Sequence, residues 1–216
     1  MNVWSRLVRF GFRLLYHELA FTYDAVSRLV SLGAWRSWQR SALNYLPHPR
    51  TGRVLELAHG TGDLQLDLHE RGYQSLGCDS SPQMGLIAWR KLARRTQPRL
   101  VRCQAQQLPF PDRAFAAIVT TFPTDFIISR NTLCEAHRVL LPQGRLIVAL
   151  SGDLKGHDPF ARFIEWLYRI TGQREARVLD WRSLLASCGF EAELVNRDLG
   201  RTQVQLLVAN KSAKSG

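Results

Sequence analysis

The sequence contains no run of about 18 apolar residues, which on length excludes a membrane-spanning helix. Cysteine is scarce. Cys78, Cys103, Cys134 and Cys188 stand far apart in apolar or strand-like stretches, with no Cys-x-x-Cys pair and no Cys/His spacing suited to a metal. They read as reduced core thiols of a cytoplasmic protein, and no metal is expected. No internal repeat or low-complexity tract occurs, which argues against a repeat architecture. A secretory leader is not expected either, because Arg6, Arg9 and Arg13 interrupt the apolar residues near the start and no small-residue cleavage site follows. Acidic residues are few, 18 against 29 Lys and Arg, for a net charge of +11. That surplus favours an anionic partner, whether phospholipid headgroups, nucleic acid or an acidic small molecule, and does not choose among them. With 216 residues the chain has room for one α/β domain with a sizeable core rather than two.

What the sequence does have is a short apolar strand that runs into a glycine turn and opens a helix, over residues 53–64. Val54, Leu55 and Leu57 suit a buried strand, while Gly60 and Gly62 permit positive φ and let a ligand approach the backbone. Turns of this kind, at the carboxyl end of a parallel strand, hold nucleotide-type cofactors. A second strand, Ser75 to Cys78, ends in Asp79, seventeen residues beyond Gly62, and places a carboxylate where the hydroxyl pair of a ribose lies in an adenosine site. A dinucleotide fold wants Gly-x-Gly-x-x-Gly and a helix start aimed at a pyrophosphate. Here Gln65 replaces the third glycine, and Asp63 at the helix start repels a pyrophosphate but tolerates the ammonium group of an amino-acid moiety.

The turn resembles motif I of the class I S-adenosylmethionine (SAM) methyltransferases, with Glu56 as its acidic residue, Ala58 where the family usually has its first glycine, and Asp79 closing the second strand. A methyl group at Ala58 is tolerable if φ stays negative. The resemblance implies that Glu56, Ala58, His59, Gly60, Gly62, Asp79 and Ser80 surround SAM, with S-adenosylhomocysteine as product, and that His59 binds rather than acts as a base. Residues 23–33 and 35–38 are similar to the leading helices of the branch that contains the quinone C-methyltransferases and the bacterial phospholipid N-methyltransferases. In that branch these helices lid the cofactor, which makes Tyr23 the lid residue, in reach of both cofactor and reaction centre. Tyr23 and Trp38 read equally well as core aromatics. Residues 104–112 resemble the loop after the third strand, so Gln104 and the backbone of Ala105 are implied as adenine readers. A glutamine carbonyl accepts from the adenine amino group while its amide donates to a ring nitrogen. Phe122, Pro123 and Asp125, at the mouth of the fourth strand, are implied to line the transfer channel, with Phe122 also against the cofactor, although Asp125 could instead cap the following helix. The segment 135–144 resembles the helix-to-fifth-strand junction, where Gln143 stands at a position that is more often glycine.

Along the chain, Val3, Trp4, Leu7, Val8, Leu14, Leu15 and Leu19 repeat at three and four, opposite Arg6, Arg9, Arg13 and His17. This amphipathic helix suits an anionic membrane surface, or else packs on its own domain with a solvated arginine face. Two more helical stretches run from Phe21 to Leu46, broken at Gly33 and stopped by Pro47 and Pro49. Helices are expected over 63–71, 82–95, 159–170 and 180–187, and strands over 99–103, 116–121, 145–150, 191–196 and 203–209. Arg90, Lys91, Arg94 and Arg95 read as a solvated helix end or, alternatively, a nucleic-acid stripe. Residues 151–158 read as a polar loop, and the tail from Asn210 as disordered. The expected organisation is N-terminal amphipathic and lid helices over 1–50, a SAM-binding domain over 51–210, and a tail over 211–216. The fold implied is α/β, a Rossmann-like sheet of seven mostly parallel strands with an antiparallel C-terminal hairpin.

The resemblance therefore implies a SAM-dependent methyltransferase acting on a lipid-like acceptor, a phospholipid amine or a quinone, at a membrane surface. Asp125, His157 and Tyr23 are the candidate catalytic groups, with Asp158 a further titratable residue. A nucleic-acid methyltransferase fits the charge, but residues 121–124 read Thr-Phe-Pro-Thr rather than the Asn/Asp-Pro-Pro-aromatic motif that holds a flipped base. A small-molecule methyltransferase and a non-catalytic SAM-binding, membrane-associated protein remain alternatives.

Overall fold

The computed structural model describes residues 31–154 and 181–212. The helices expected at 3–19 and 159–170, the stretch 21–30, and the residues Tyr23, His157 and Asp158 lie outside the described residues. Helix α1 (Trp35–Ala42) leads through short 3-10 turns to strand β1 (Val54–Leu57). Helix α2 (Asp63–Glu70), strand β2 (Ser75–Asp79), helix α3 (Pro82–Leu92) and strand β3 (Leu100–Arg102) follow. Strand β4 (Phe115–Thr121), helix α4 (Arg130–Val139), strand β5 (Leu140–Leu154), helix α5 (Trp181–Ser187), and strands β6 (Phe190–Asp198) and β7 (Thr202–Lys211) complete the order.

The seven strands form one sheet in the order β3-β2-β1-β4-β5-β7-β6. β1 to β5 pair in parallel, and β7 runs antiparallel to both β5 and β6. Alternation along β1 decides what each face buries. Leu55 and Leu57 join Ile118, Leu133, Ala136, Leu146 and Leu185 under α4 and α5, while Val54 joins Leu64, Leu68, Ala117, Val119 and Ile147 under α1 and α2. Trp38 of α1 is 2% exposed and lies against Gly152 of β5, where a Cβ would come within 2.3 Å of the indole. Only a residue without a side chain lets α1 lie this close to the sheet.

Several boundaries move. β5 begins at Leu140, and residues 151–154 continue it rather than forming a loop, because they pair with β7 from Ser151↔Gln205 to Leu154↔Thr202. β7 runs on to Lys211, whose Nζ donates to the carbonyls of His137 and Leu140 at 2.7 and 2.9 Å, so Asn210 and Lys211 do not belong to a loose tail. α3 ends at Leu92, three residues early.

The cysteine expectation is also corrected. Cys78 and Cys103 are joined in a disulfide, with Cα atoms 5.9 Å apart. Parallel pairing of β2 and β3 sets the ends of the two strands side by side, which a sequence separation of 25 conceals. Cys134 is exposed rather than in the core, 3.8 Å in Sγ–Sγ distance from the buried Cys188.

Candidate functional site

The strand order reverses between β1 and β4, since β1 leads outward to β2 and β3 while β4 leads to β5. Crevices at such reversals, outside the carboxyl ends of the strands, are where open α/β sheets take ligands. The glycine turn lies there. Gly60 and Gly62 have φ of +54° and +83°, and Gly62 packs so closely on α3 that a Cβ would meet that of Ala88 at 2.9 Å. At Gly60 nothing stands within 4 Å of the position a Cβ would take. Open space therefore faces the middle of the turn.

Asp79 holds the turn in place. Its Oδ2 accepts from the Gly60 amide at 2.9 Å and its Oδ1 from the Ser81 amide at 2.8 Å. A carboxylate has about four lone-pair sites, so these two bonds leave acceptor capacity for two hydroxyls of a ribose. His59 is 5% exposed, stacks over Gly77, and has Nδ1 2.9 Å from the Gly60 carbonyl. Burial holds its basicity below the ordinary histidine range, against the opposing pull of the Asp79 charge, so the ring is neutral at pH 7. Ser80 is exposed, and its carbonyl accepts from Arg102 Nε at 3.2 Å. Gln104 is exposed and Ala105 half-buried just beyond β3, in a tight turn closed by the Gln107 amide on the Gln104 carbonyl at 3.1 Å. Arg138 anchors the far side of that loop through the carbonyls of Leu108 and Phe110 and through Glu135 and Asp112. That pairing pulls the Glu135 carboxyl below its usual range.

Three expectations about the turn are revised. Glu56 does not face the crevice. On β1 it shares the α2 side with Val54, is 2% exposed, and accepts from Gln65 Nε2 at 2.7 Å, while Ser75 Oγ donates to the other end of Gln65 at 2.9 Å. Burial pushes its carboxyl up to about 8, so it is a neutral acid at pH 7 that ties α2 to the sheet. Ala58 does not keep a negative φ; it adopts +55°, in the left-handed region. Asp63 does not present a free negative charge at the helix start, because Lys91 Nζ lies 2.8 Å from its Oδ1, with Arg36 at 3.6 Å. The missing third glycine, filled by the buried Gln65, is then what separates this turn from a dinucleotide site.

At the mouth of β4, Phe122 takes φ +51°, so two non-glycine residues in the left-handed region, Ala58 and Phe122, end neighbouring strands. Backbone strain of this kind collects where a structure positions chemistry. Phe122 lies 4.3 Å from the ring of Trp35 and 6.1 Å from that of Trp38. Pro123 is half-buried beside it, and Asp125 opens a 3-10 turn, Asp125–Ile128. Ser129, not Asp125, occupies the cap position of α4. The sequence reading missed Trp35 and Gln39, whose Nε2 donates to Thr121 Oγ1 at 3.2 Å. Their only signal was membership of a helix that resembled a lid. It also missed Lys91, which reaches the turn because Ala88, one turn earlier, packs on Gly62.

These residues fit an adenosine-bearing group: a carboxylate with spare acceptor sites, open space before a glycine, and a pinned loop at the next strand. The comparisons agree. The profile of the ubiE/COQ5 methyltransferase family matches residues 11–163. Among curated relatives, a demethylmenaquinone methyltransferase of Thermus thermophilus is 42% identical over 138 residues, 62% of this chain and 63% of that one. One of Deinococcus radiodurans is 39% identical over 140 residues, 62% of this chain and 57% of that one. The aligned part is thus under two thirds of the length of these relatives. Among solved structures, a Methanococcus maripaludis protein described as an S-adenosyl-L-methionine-dependent methyltransferase has a TM-score of 0.64 at 17% identity, over 91% of this chain and 93% of that one, a likeness of fold.

Proposed function

The chain belongs to the ubiE/COQ5 methyltransferase family, and from that premise we propose that it moves a methyl group from SAM to a carbon of a quinone-type acceptor. The observation that carries this reading is the Asp79 carboxylate, tied to Gly60 and Ser81 with acceptor sites to spare, beside open space at the strand-order reversal. Relatives at about this level of identity carry quinone names, which favours a quinone over a phospholipid amine. When bound, SAM supplies a methyl group on a sulfonium with a good leaving group. The chain's own contribution is then mainly proximity and alignment.

In this reading Asp79 accepts from the ribose hydroxyls, Gln104 and the Ala105 backbone read the adenine, and the 58–62 turn carries the amino-acid end. Trp35 and Phe122 offer an aromatic wall on which a planar acceptor ring can stack. A carbon acceptor must also lose a proton. Asp125, at the mouth of β4, and His157 are the proposed groups to take it, with Tyr23 closing over the cofactor. Residues 3–19 are proposed to hold the enzyme at the anionic bilayer where a lipid-soluble quinone resides. No described helix is long and apolar enough to cross a membrane.

Methyl-labelled SAM incubated with the protein, reduced demethylmenaquinone and total lipid tests the reading. Label is expected in the quinone. Label in phospholipid instead would move the acceptor, and calorimetric SAM binding without transfer to either would leave a binding protein.

A further inference from the structure

Helix α3 buries Met84, Ala88 and Leu92 against the domain. Its other side packs on no other described element. Leu86 and Trp89 are 49% and 54% exposed, and with the exposed Pro82 and Ala93 they recur at four, three and four, one continuous outward stripe. Arg90 and Arg94 are exposed alongside it, and neither has an ion-pair partner among the described residues. Next to the stripe opens a cavity of about 390 Å³ lined by Arg36, Arg40, Lys91, Arg94 and Arg95, with Glu70. Three carboxylates answer these cations: Asp63 holds Lys91, Asp67 holds Arg36 and Arg40, and Glu70 holds Arg95. Positive charge is left in excess over the whole face.

Exposed leucine and tryptophan flanked by unpaired arginine is the surface chemistry of a protein that rests on a lipid interface. The indole and aliphatic groups enter the headgroup–acyl boundary, and the guanidinium groups stay with the phosphates. An aqueous anion has no use for the apolar stripe, and a protein partner has no need of so many cations. We propose that the outer face of α3 docks on an anionic phospholipid surface, with Leu86 and Trp89 inserted and Arg90 and Arg94 on the headgroups. α3 starts three residues beyond Asp79, so a bilayer held on this face lies beside the crevice and shortens the path of a lipid-soluble acceptor. The docking partner deepens the methyltransferase reading and rests on it for its purpose, though not for its test.

The test uses the full chain and vesicles of graded phosphatidylglycerol in phosphatidylcholine. Binding is expected to rise with anionic content and fall with salt, with amide hydrogen exchange slowed over residues 82–95. Arg90→Gln with Arg94→Gln should weaken vesicle affinity about thirtyfold, at about 1 kcal/mol for each basic residue near the surface. Leu86→Ala with Trp89→Ala should weaken it at least about tenfold. All four sites are exposed, so melting temperature and SAM affinity should stay as in wild type. Wild-type vesicle affinity in both variants, or unchanged exchange over 82–95, overturns the proposal. A dimer in solution that the Leu86/Trp89 variant dissociates would give the face to a second copy of the chain, and duplex DNA competing at equal charge would give it to nucleic acid. Vesicle binding without SAM binding would sink the enzymatic reading and leave the docking face standing.

Discussion

At the residue scale, Asp79 has two tasks that a substitution separates. Asp79→Ala should weaken SAM and S-adenosylhomocysteine binding by about 1.5–3 kcal/mol in calorimetry, through loss of a charged acceptor for two hydroxyls. It should also lower stability by about 2 kcal/mol, because the Gly60 and Ser81 amides lose their partner. Asp79→Asn keeps one acceptor oxygen and should recover stability more than affinity. Ala58→Gly acts in the other direction. It relieves a left-handed φ and should raise stability by about 1 kcal/mol in chemical denaturation. Glu56 gives a pH signature. Its folded carboxyl binds a proton up to about 8 while the unfolded one releases it near the ordinary carboxylate value, so between those limits the folded state holds more protons. Stability from this group is complete below the unfolded value and is lost as pH rises toward 8. Glu56→Gln mimics the neutral acid, so thermal melts from pH 5 to 8 should fall less for the variant than for wild type. An identical slope would remove Glu56 as the source.

At the scale of elements, the crevice depends on how neighbouring strand ends are fastened. The Cys78–Cys103 disulfide joins β2 to the residue that follows β3, one residue before both Asp79 and Gln104. It closes a loop with a separation of 25 residues, and its reduction should cost about 3 kcal/mol of stability in urea unfolding with and without a dithiol reductant. Serine at Cys103 should reproduce the reduced value. Equal midpoints in both states would mean that the bond adds nothing to the fold. α1 is fastened differently, by the fit of Trp38 onto Gly152. A methyl group there has nowhere to go, since the indole is fully packed.

At the scale of the molecule, the charge of +11 is unevenly distributed: Arg36, Arg40, Lys91 and Arg95 pair with Asp63, Asp67 and Glu70, while Arg90 and Arg94 are exposed with no ion-pair partner among the described residues. If residues 3–19 add a second contact, replacing Arg6, Arg9 and Arg13 by glutamine should lower vesicle affinity by roughly a hundredfold or more, with SAM affinity unchanged. Sedimentation with neutral and anionic vesicles measures it. The sequence by itself determined the α/β class, the glycine turn with its positive φ at Gly60 and Gly62, the acidic end of the second strand and the C-terminal hairpin. Each is written in short-range pattern: apolar runs of strand length, glycine where φ must be positive, an aspartate one strand away. Only the tertiary structure decided which side of the sheet each residue meets and which distant residues become neighbours. Glu56 is next to the turn in sequence yet faces α2, because side chains alternate along a strand and its position has the parity of Val54. Cys78 and Cys103, Lys91 and Asp63, and Trp35 and Phe122 meet because strand register and helix packing bring them together, and no local pattern encodes those distances. The extra length of β5 and β7 has the same origin, since each strand extends as far as its antiparallel neighbour offers hydrogen bonds.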